Sequence, residues 1–476
     1  MHAQTLSDWV SRSGVKFGTS GARGLVSQMT NAVCYAYSAA FIQAVAADSE
    51  RVVIGHDLRP SSPAMAAACA QAIRDARKEV IYVGSLPTPA VAYYAMLLRA
   101  PSIIVTGSHI PFDRNGIKFY RPDGEISKQD EAAMLAASVD LPADLNISQL
   151  PDIDPSAFTA YVRRYVDFFG ASALLGKRVA LYEHSSVARD VLPAILEALG
   201  ATVISLGRTD TFVPIDTEAV RAEDVDQAKR WATEHRFDAI LSTDGDADRP
   251  LIGDEAGNWL RGDIVGILCA RYLQAESVVT PVSSNTALEQ CGWFKAIVRT
   301  RIGSPYVIAG MAGVQGVVVG YEANGGFLLG SAIYRNGRKL AAFPTRDAVV
   351  PMLALLCMAT EQSCPLSKLA NTLPARFTFS DRLQDFPTES SHALINRLRA
   401  DPETLVVWLA PDSGAVASVD ETDGLRVTFA NGDIVHLRPS GNAPELRCYA
   451  EASSESRAKE LCHACLAKIH SISHPE

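Results

Sequence analysis

Short apolar runs alternate with stretches of helical periodicity through the first three quarters of the chain. Near the amino terminus this pattern predicts strands at Arg51–Ile54, Val80–Val83 and Ser102–Val105, with an alanine-rich helix over Pro63–Arg77. Strands that alternate with helices indicate α/β layers, in which helices cover a sheet. A stretch rich in Asp and Pro, Val139–Ser156, interrupts the alternation and is predicted to be a linker.

The alternation resumes beyond this linker. The second stretch has predicted strands at Arg178–Tyr182, Thr202–Leu206 and Asp238–Leu241, and predicted helices at Val187–Leu199 and Val225–Glu234. A third stretch, from about Asn258 to Ala370, contains a strand at Val317–Gly320. These patterns predict two further α/β domains.

The last hundred residues follow another pattern, in which several strands precede one helix. A β-hairpin is predicted from Leu425–Phe429 and Ile434–Leu437, joined by an Asn-Gly turn. A strand at Leu446–Ala450 then leads to a helix over Glu455–His470, which Ser453 or Ser454 is placed to cap. This indicates a small α+β domain, so we predict four domains, at residues 1–150, 151–255, 256–368 and 369–476.

Composition and charge narrow the class of partner. Hydrophobic residues make up 48% of the chain and charged residues 20%, an ordinary globular balance. The 476 residues correspond to roughly three domains at about 150 residues each, one fewer than the pattern predicts. The net charge of −9 argues against binding nucleic acid through its phosphates, which requires a basic face. A local basic pocket that binds one phosphate group is compatible with this net charge.

Neither a membrane span nor a secretory signal is expected. The longest candidate, Ala348–Thr360, is shorter than the ~20 apolar residues that a spanning helix needs, and Pro351 interrupts it. The first residues lack the apolar segment of a signal peptide. Nine scattered cysteines, of which only Cys462 and Cys465 lie close together, are interpreted as reduced thiols of a cytoplasmic protein.

Four polar, glycine-containing loops each follow an apolar strand, roughly one per predicted domain. They are TGSH around Ser108, DGDADR from Asp244, EANGG from Glu322 and RPSGN around Ser440. Because ligands of α/β sheets bind beyond the carboxyl ends of the strands, we expect the four loops to face one cleft.

The DGDADR loop is a candidate metal site. Asp244, Asp246 and Asp248 alternate with small residues, so on an extended strand end their side chains point to one side. Three carboxylates repel one another unless a cation neutralises them, and oxygen ligands favour Mg²⁺ or Ca²⁺. Arg249 stands where the turn of an EF-hand needs glycine, which excludes that motif. A solvated acidic turn is the weaker alternative.

The nucleophile is predicted elsewhere. Phosphatases that use an aspartate carry D-x-D with Thr or Val two positions on, and here Arg249-Pro250 follows the last aspartate. Ser108 follows Gly107 directly after a strand, where a tight turn would expose its hydroxyl. His109 beside it can donate hydrogen bonds to phosphate oxygens, and Lys118, close to the next strand, can transfer protons. Ser108 lacks the G-x-S-x-G surroundings of an α/β-hydrolase nucleophile.

The remaining loops suit recognition of a phosphorylated sugar, although each alone is compatible with an ordinary turn. Arg438, Ser440, Asn442 and Arg447 offer the forked cations, hydroxyl, amide and backbone N–H groups that bind phosphate. The carboxylate and amide of the EANGG loop suit adjacent sugar hydroxyls, and the glycines let a ring approach the backbone. A further glycine-rich loop, FGTSGARG, lies near the amino terminus.

Taken in chain order, these segments resemble the α-D-phosphohexomutase family, most closely its bacterial phosphomannomutase members. The segments that carry the resemblance are Phe17–Gly24, Thr106–Lys118, Asp244–Arg249, Glu322–Gly326 and Arg438–Arg447. The resemblance implies an α/β fold of three mixed-sheet domains and a smaller C-terminal α+β domain around a central cleft.

The resemblance also implies an activity. A phosphomannomutase would move a phosphoryl group reversibly between mannose 6-phosphate and mannose 1-phosphate, through a phosphoserine and a hexose 1,6-bisphosphate that also acts as activator. One Mg²⁺ per chain, a hexose phosphate substrate and a monomer or weak homo-oligomer in the cytoplasm are expected. Phosphoglucomutase and phosphoglucosamine mutase activities are alternatives, and a sugar-phosphate phosphatase or a non-catalytic sensor is a weaker one.

Each matching residue receives a role from the resemblance. The implied metal ligands are Ser108, through its phosphate, and Asp244, Asp246 and Asp248. The implied catalytic residues are Ser108, Lys118, His109, Arg23 and Arg249. The implied substrate-binding residues are Thr19, Ser20, Glu322, Asn324, Arg438, Ser440, Gly441, Asn442 and Arg447.

The chain departs from the family pattern at several loop positions. Gly107 replaces a common Ala, Ile110 an Asn, and Ala247 the central Gly of D-G-D-G-D. Asn442-Ala443 replaces Thr-Glu, and Gly326 stands where a His follows Ser-Gly in several relatives. The last two departures lie in substrate-recognition loops, so they bear on the identity of the sugar.

Overall fold

The computed structural model describes residues 4–18, 21–410, 412–440 and 444–473. Within these residues the strands form four large sheets that follow one another along the chain, and two small two-stranded sheets. We call the four parts units I to IV. Their helices and strands confirm the predicted fold class, with three mixed α/β sheets and an antiparallel C-terminal sheet covered by helices.

Unit I contains the Ser108 loop. Its elements are β1 (Gln4–Thr5), α1 (Leu6–Ser13), β2 (Lys16–Phe17), β3 (Ala22–Leu25), α2 (Asn31–Ala44), β4 (Arg51–His56), α3 (Ser62–Asp75), β5 (Glu79–Ser85), α4 (Thr88–Leu97), β6 (Ser102–Val105), β7 (Arg114–Arg121), β8 (Gly124–Glu125), α5 (Lys128–Ala136) and β9 (Ser138–Val139). The main sheet has the order β2-β3-β7-β6-β4-β5. Strands β4, β5 and β6 run parallel, and β7 is antiparallel to β6.

The predicted linker is held against unit I. Residues 140–155 form neither helix nor strand. Even so, Leu141, Leu145, Ile147 and Leu150 pack against the apolar core of unit I. The segment is therefore irregular in backbone, as its Pro and Asp content predicts, while its leucines fix it to the domain that precedes it.

Unit II carries the metal-loop candidate. Its elements are α6 (Ser156–Phe169), β10 (Arg178–Tyr182), a 3₁₀ turn (Val187–Arg189), α7 (Val191–Ala198), β11 (Thr202–Leu206), α8 (Ala222–Glu234), β12 (Ala239–Thr243) and β13 (Pro250–Gly253). The sheet order is β11-β10-β12-β13, with only the pair β12–β13 antiparallel. The single helix predicted over Val187–Leu199 is wrong. A 3₁₀ turn comes first, and α7 begins at Val191. Pro193, which has no N–H to donate to the carbonyl of residue 189, therefore lies in the first turn of α7, where no such donor is needed.

Unit III carries the sugar-loop candidate. Its elements are α9 (Gly262–Tyr272), β14 (Ser277–Pro281), α10 (Ala287–Gln290), β15 (Ala296–Thr300), α11 (Ser304–Ala312), β16 (Val318–Tyr321), β17 (Phe327–Leu329), β18 (Ile333–Arg335), β19 (Arg338–Leu340), β20 (Phe343–Asp347), α12 (Val349–Glu361) and 3₁₀ turns at Leu366–Lys368 and Ala370–Thr372. The sheet order is β15-β14-β16-β17-β20. The DGDADR loop of unit II and the EANGG loop here both join neighbouring antiparallel strands at a sheet end.

Unit IV has a separate core. Its elements are β21 (Phe377–Leu383), α13 (Thr388–Ala400), α14 (Pro402–Leu409), β22 (Val416–Asp420), β23 (Leu425–Phe429), β24 (Ile434–Pro439), β25 (Leu446–Ala452) and α15 (Glu455–Ser473). All neighbouring strands in the order β21-β25-β24-β23-β22 are antiparallel. The predicted hairpin is confirmed, and Cys462 and Cys465 are buried in the packing face of α15, as predicted.

Among the described residues, no single helix is both long and apolar enough to cross a membrane. The bent pair Val349–Glu361 and Leu366–Thr372 passes that test by length and composition only. Helix α12 supplies most of its apolar residues, and these are buried against units I to III.

Candidate active site

The Ser108 loop is held in a strained turn after β6. Ser108 has φ = +52°, a left-handed conformation that non-glycine residues seldom adopt, and its side chain is buried. The Asp57 carboxylate accepts hydrogen bonds from Thr106 Oγ1 at 2.9 Å and from Gly107 N at 3.1 Å. The Ser108 N–H donates to Thr106 Oγ1 at 2.8 Å. These bonds fix the direction of the serine hydroxyl.

The buried side chain of Arg59 also holds the Ser108 loop. Arg59 donates to the carbonyl oxygens of Ser108 and Ile110, at 3.1 and 2.5 Å. Its guanidinium stacks 4.0 Å from the ring of Phe212, which comes from unit II. A Cβ at Gly107 would lie 2.4 Å from Arg59 Cζ, so glycine is what lets the two approach.

The three aspartates of the DGDADR loop lie against this turn. Ser108 Oγ donates to Asp244 Oδ2 at 2.6 Å, and Lys118 Nζ lies 2.6 Å from Asp246 Oδ2 and 2.7 Å from Asp248 Oδ2. One oxygen from each aspartate lies within 4.8 Å of the others, and all three side chains are buried. The structure therefore brings together the predicted nucleophile, the predicted proton carrier and the predicted metal ligands.

Their environments differ in charge. Burial, together with the neighbouring carboxylates of Asp246 and Asp248, raises the pKa of Asp244 well above its usual range. Burial acts in the same direction on Asp248, but Arg346, Lys118 and Arg249 outweigh it and lower the pKa of that carboxyl. Neighbouring cations thus balance the charge of Asp248, whereas the charge of Asp244 is balanced less well.

These residues fit a divalent cation. Asp246 Oδ1 and Asp248 Oδ1 are buried and make no hydrogen bond with the described residues. A buried carboxylate oxygen without a hydrogen-bond donor is costly, and a cation bound by several oxygens would remove that cost. An all-carboxylate donor set suits Mg²⁺. On this donor chemistry, Mg²⁺ would be held by Asp244, Asp246 and Asp248.

His109, Arg249 and Arg23 add cationic or imidazole groups to this region. His109 Nδ1 lies 3.3 Å from Ser108 Oγ and 3.1 Å from Arg249 Nη1. Burial, then the charges of Arg249 and Arg23, lower the pKa of His109 well below its usual value, so the imidazole is neutral. Burial and the charge of Arg249 lower the pKa of Arg23 to about 10, and its guanidinium stays charged at neutral pH.

The EANGG loop approaches the metal loop from unit III. Glu322 is buried, and its Oε2 lies 3.3 Å from Arg346 Nη1. The Asn324 side chain accepts from Gly326 N at 3.0 Å, and its backbone carbonyl accepts from Thr217 Oγ1 at 2.7 Å. The loop is therefore fixed both internally and against unit II.

The C-terminal loop contributes cations. Arg438 Nε donates to Asp423 Oδ2 at 2.8 Å, and Arg447 Nη2 lies 3.5 Å from Glu445 Oε2. Ser440 is buried, and its N–H donates to the Glu445 carbonyl at 2.8 Å. After burial, Arg249 and Arg23, the charge of Arg447 also contributes to the low pKa of His109, so unit IV adds positive charge to the surroundings of this imidazole. Thr19, Ser20, Gly441 and Asn442 lie outside the described residues.

Sequence reasoning missed four residues of this site. Asp57 and Arg59 follow β4 directly, so the strand-end rule that singled out the other loops would have found them. Thr88 donates to Asp246 Oδ2 at 2.6 Å, and Arg346 lies 2.9 Å from Asp248 Oδ2. Neither lies in a recognisable sequence motif. Thr88 reaches the metal loop from unit I, and Arg346 reaches it from unit III.

Comparison with known proteins adds independent findings. Models of the phosphoglucomutase/phosphomannomutase family match in order: alpha/beta/alpha domain I at residues 14–141, domain II at 156–257, domain III at 261–377 and the C-terminal domain at 394–468. A phosphomannomutase of Salmonella muenchen is 48% identical over 469 residues, 98% of this chain and 97% of that protein. A phosphomannomutase of Sinorhizobium fredii is 45% identical and covers 96% of this chain and 99% of its own length.

Solved structures share the fold. A phosphoglucomutase/phosphomannomutase family protein from Burkholderia thailandensis superposes with a TM-score of 0.73 at 20% identity, covering 96% of this chain and 98% of that one. An Aspergillus fumigatus N-acetylphosphoglucosamine mutase in complex with GlcNAc-6P and magnesium has a TM-score of 0.61 at 13% identity, covering 99% and 100%. With all four domain models in order and close relatives along nearly its whole length, the chain belongs to the phosphoglucomutase/phosphomannomutase family, the α-D-phosphohexomutases.

Proposed function

We propose that this protein is a phosphomannomutase, which interconverts mannose 6-phosphate and mannose 1-phosphate. One observation carries the chemistry: the Ser108 hydroxyl, held in a strained turn, lies 2.6 Å from the first carboxylate of a buried acidic trio. The choice of sugar is supported by the two full-length relatives named phosphomannomutase at 48% and 45% identity. Relatives named phosphoglucosamine mutase match at 28–30%.

Ser108 is the proposed phosphoryl carrier. The hexose hydroxyl would attack the phosphorus of phosphoserine, so that a new O–P bond forms while the bond to Ser108 Oγ breaks. Such transfer needs in-line positioning and neutralisation of the charge on the equatorial oxygens. Arg249 and Arg23 supply fixed positive charge beside the loop, and neutral His109 supplies a hydrogen-bond donor. Bound by the three aspartates, Mg²⁺ would supply further positive charge there.

Lys118 is the proposed proton carrier. Its ammonium lies 2.6 Å from Asp246 and 2.7 Å from Asp248, in a position shielded from water. In its neutral amine form, Lys118 would take up the proton of the attacking sugar hydroxyl, and the departing Ser108 Oγ would receive a proton in turn, so that the transfer leaves the total number of protons unchanged. Lys118 lies on β7, whose pairing with β6 and β3 holds the side chain rigidly toward the metal loop.

The remaining loops are proposed to bind the substrate. Glu322 and Asn324 would hold sugar hydroxyls, and Arg438, Ser440, Gly441, Asn442 and Arg447 would hold the phosphate that does not react. Thr19 and Ser20 are further proposed substrate-binding residues. A bisphosphate intermediate that turns round in the cleft would return its other phosphate to Ser108. A hexose 1,6-bisphosphate is accordingly the proposed activator, with one Mg²⁺ per chain.

We propose that the four domains extend over residues 1–150, 151–255, 256–368 and 369–476, and that each supplies one loop to the cleft. Burial of the cleft would exclude water, which would otherwise hydrolyse the phosphoserine. A cytoplasmic location and a monomer or weak homo-oligomer stay predictions from the sequence.

The variant Ser108→Ala tests the carrier. We expect it to fold and to lose at least about 1,000-fold in turnover of mannose 1-phosphate, because the covalent intermediate has no oxygen to form on. Intact mass spectrometry should show one phosphoryl group fewer than in the phosphorylated wild type. The exposed Ser453→Ala serves as the matched control and should keep full activity. Undiminished turnover in Ser108→Ala would remove the phosphoserine mechanism.

The sugar is tested by measuring rates on mannose, glucose and glucosamine 1-phosphates, with a hexose 1,6-bisphosphate as primer. We expect mannose 1-phosphate to be converted with the highest kcat/KM. Release of inorganic phosphate in step with substrate loss would indicate a phosphatase instead, and tight binding without turnover would indicate a sensor.

A further inference from the structure

Arg346 bridges two of the loops that form the cleft. It lies on β20 of unit III, and only 3% of its side chain is exposed. Its Nη2 lies 2.9 Å from Asp248 Oδ2 in the metal loop, and its Nη1 lies 3.3 Å from Glu322 Oε2 in the sugar loop. One guanidinium therefore contacts a proposed metal ligand and a proposed sugar ligand together.

Side-chain hydrogen bonds fix the residues on both sides of Arg346. Thr345 Oγ1 donates to Glu125 of unit I at 3.0 Å. The Asp347 carboxylate accepts from the hydroxyls of Tyr161 and Tyr165 in unit II, at 3.0 and 2.6 Å. Since neighbours from two other units fix the strand, the guanidinium has little freedom to follow one loop away from the other.

The sugar loop leaves space for this arginine. A Cβ at Gly326 would lie 2.7 Å from Arg346 Cδ and 2.9 Å from its Cγ. A side chain at position 326 would thus collide with Arg346 in its observed conformation. Gly326 is the position where several family members carry histidine, so here the arginine fills the space that a side chain from the loop would need.

We propose that Arg346 is a positioning residue that couples sugar recognition to the metal loop. This inference rests on the proposed function. The planar guanidinium can engage two carboxylates from two directions at once, which a lysine ammonium cannot do in the same geometry. By holding Glu322 and Asp248 at a fixed separation, Arg346 sets the place of the sugar hydroxyls relative to the phosphoryl-transfer site.

This role predicts effects of opposite sign on metal binding and on sugar binding. Arg346 places positive charge next to a carboxylate that would bind Mg²⁺, so its removal should strengthen Mg²⁺ binding. The same removal frees the Glu322 carboxylate from its partner, so sugar phosphate binding should weaken. A purely structural arginine would weaken both.

The first experiment measures Mg²⁺ binding alone by calorimetry, and KM for mannose 1-phosphate by a coupled assay. For Arg346→Gln we expect the Mg²⁺ Kd to fall about 5-fold and KM to rise at least about 10-fold. For Arg346→Lys, which keeps the charge, we expect a Mg²⁺ Kd within about 3-fold of wild type while KM still rises. If Arg346→Gln fails to fold, the lysine variant decides.

The second experiment tests the coupling without any assay of turnover. In Glu322→Gln, Arg346 loses one of its carboxylate partners, and its charge should weaken Mg²⁺ binding about 3-fold. In the Arg346→Gln background the same substitution should change the Mg²⁺ Kd by less than about 2-fold. A Glu322→Gln effect of equal size in both backgrounds overturns the proposal.

Arg164→Lys is the matched control. Arg164 is also buried and also joins units, since it stacks on Tyr93 and Phe343, but among the described residues its contacts lie outside the cleft loops. This variant should change neither the Mg²⁺ Kd nor KM by more than about 2-fold. If Arg346→Gln behaves like it, or weakens both kinds of binding together, the proposal is wrong. A wild type without mutase activity would contradict the proposed function, whereas the Mg²⁺ measurements would still test the coupling.

Discussion

At the residue scale, the reactive serine is positioned through contacts with backbone atoms. Arg59 binds the carbonyls that follow Gly107, and a Cβ added at Gly245 would lie 2.8 Å from the Ser108 carbonyl oxygen. Both glycines let neighbouring chain segments approach more closely than any other residue allows. The geometry of the site therefore depends on the lack of a side chain at these two glycines as well as on the reactive side chains.

Gly107→Ala should disturb this packing. The new methyl group would meet Arg59 at 2.4 Å, and the arginine cannot move freely because it also pairs with Asp57 at 3.3 Å. We expect a loss of about 1–3 kcal/mol in the free energy of unfolding, as for other overpacked sites. Displacement of Ser108 should lower kcat/KM at least about 10-fold. Urea unfolding and a steady-state assay measure the two effects.

Gly313→Ala is the control for that substitution. Gly313 has an ordinary negative φ, and its added Cβ would come no closer than 3.9 Å to another residue. It should leave kcat/KM unchanged and alter stability by less than about 1 kcal/mol. Equal activity in the two variants would show that Arg59 does not fix the loop.

Residue-scale prediction from sequence succeeded where the signal lay within one loop. Asp244, Asp246 and Asp248 stand in alternation after a strand, and Ser108 follows a glycine after another strand, so local rules single them out. Thr88 and Arg346 contact the same aspartates from α4 and β20. Their place depends on how units I and III pack on unit II, which no local pattern encodes.

At the scale of single elements, helix α15 depends on its first residues. Ser454 Oγ accepts a hydrogen bond from the N–H of Arg457 at 3.2 Å, which confirms one of the two predicted caps. Ser454→Ala should lower the free energy of unfolding of unit IV by about 1 kcal/mol, because an amide of the first turn loses its partner. Thermal unfolding measures it. The neighbouring Ser453→Ala should have no such effect, and equal losses in both would contradict the assignment of the cap.

Strand β24 carries a histidine that should make unit IV sensitive to acid. Burial lowers the pKa of His436 to about 4, against an ordinary value near 6.5, and its Nε2 lies 2.5 Å from the Asp423 carbonyl. The unfolded chain takes up a proton below about pH 6.5 and the folded chain only near pH 4. Stability from the neutral imidazole is thus complete above pH 6.5 and decreases as the pH falls toward 4.

The expected loss for this one histidine is about 2 kcal/mol between pH 7 and pH 5. Urea unfolding at the two pH values, followed by a probe in unit IV, measures it. His436→Gln is less stable at pH 7, because its side chain fits the site less well, but should lose less stability than wild type between pH 7 and 5. If wild type and His436→Gln lose the same stability between pH 7 and pH 5, His436 is not the group responsible.

Element prediction was accurate wherever periodicity and a boundary signal agreed. The strands at residues 178–182, 202–206 and 425–429 match the predicted bounds, because apolar runs end there at turn residues. The pattern failed to separate the 3₁₀ turn at Val187–Arg189 from α7, because the apolar periodicity continues through both. It also assigned Val139–Ser156 to a linker without indicating that its leucines pack on unit I.

At the scale of the whole molecule, the units are joined unequally. One continuous apolar core runs from a face of the unit I sheet through units II and III, whereas unit IV has its own core. Units III and IV meet largely through polar contacts: Thr378 Oγ1 donates to Asp263 Oδ2 at 3.0 Å, and Asn285 Nδ2 to the Arg376 carbonyl at 2.8 Å. The phosphate loop is thus carried by the unit with the smallest apolar attachment.

Glu451 is central to this joint, and its removal should loosen unit IV. The carboxylate accepts from Thr286 N at 3.1 Å and from the Thr286 hydroxyl, and pairs with Arg376 Nε at 2.6 Å. Glu451→Ala leaves these buried groups without their acceptor, which typically costs about 3–5 kcal/mol. We expect calorimetry to show a separate, earlier transition for unit IV. We also expect KM for mannose 1-phosphate to rise several-fold, because the phosphate-binding arginines lose their fixed distance from Ser108.

The matched control for that joint is Glu460→Ala on α15, where 67% of the side chain is exposed and its partner Arg457 lies 3.2 Å away. A surface pair of this kind contributes less than about 1 kcal/mol, so a single transition near the wild-type temperature is expected. If Glu451→Ala also unfolds in one transition at the wild-type temperature with an unchanged KM, polar contacts do not set the position of unit IV. A bound substrate that bridges Arg447 and Ser108 would then have to position the phosphate loop.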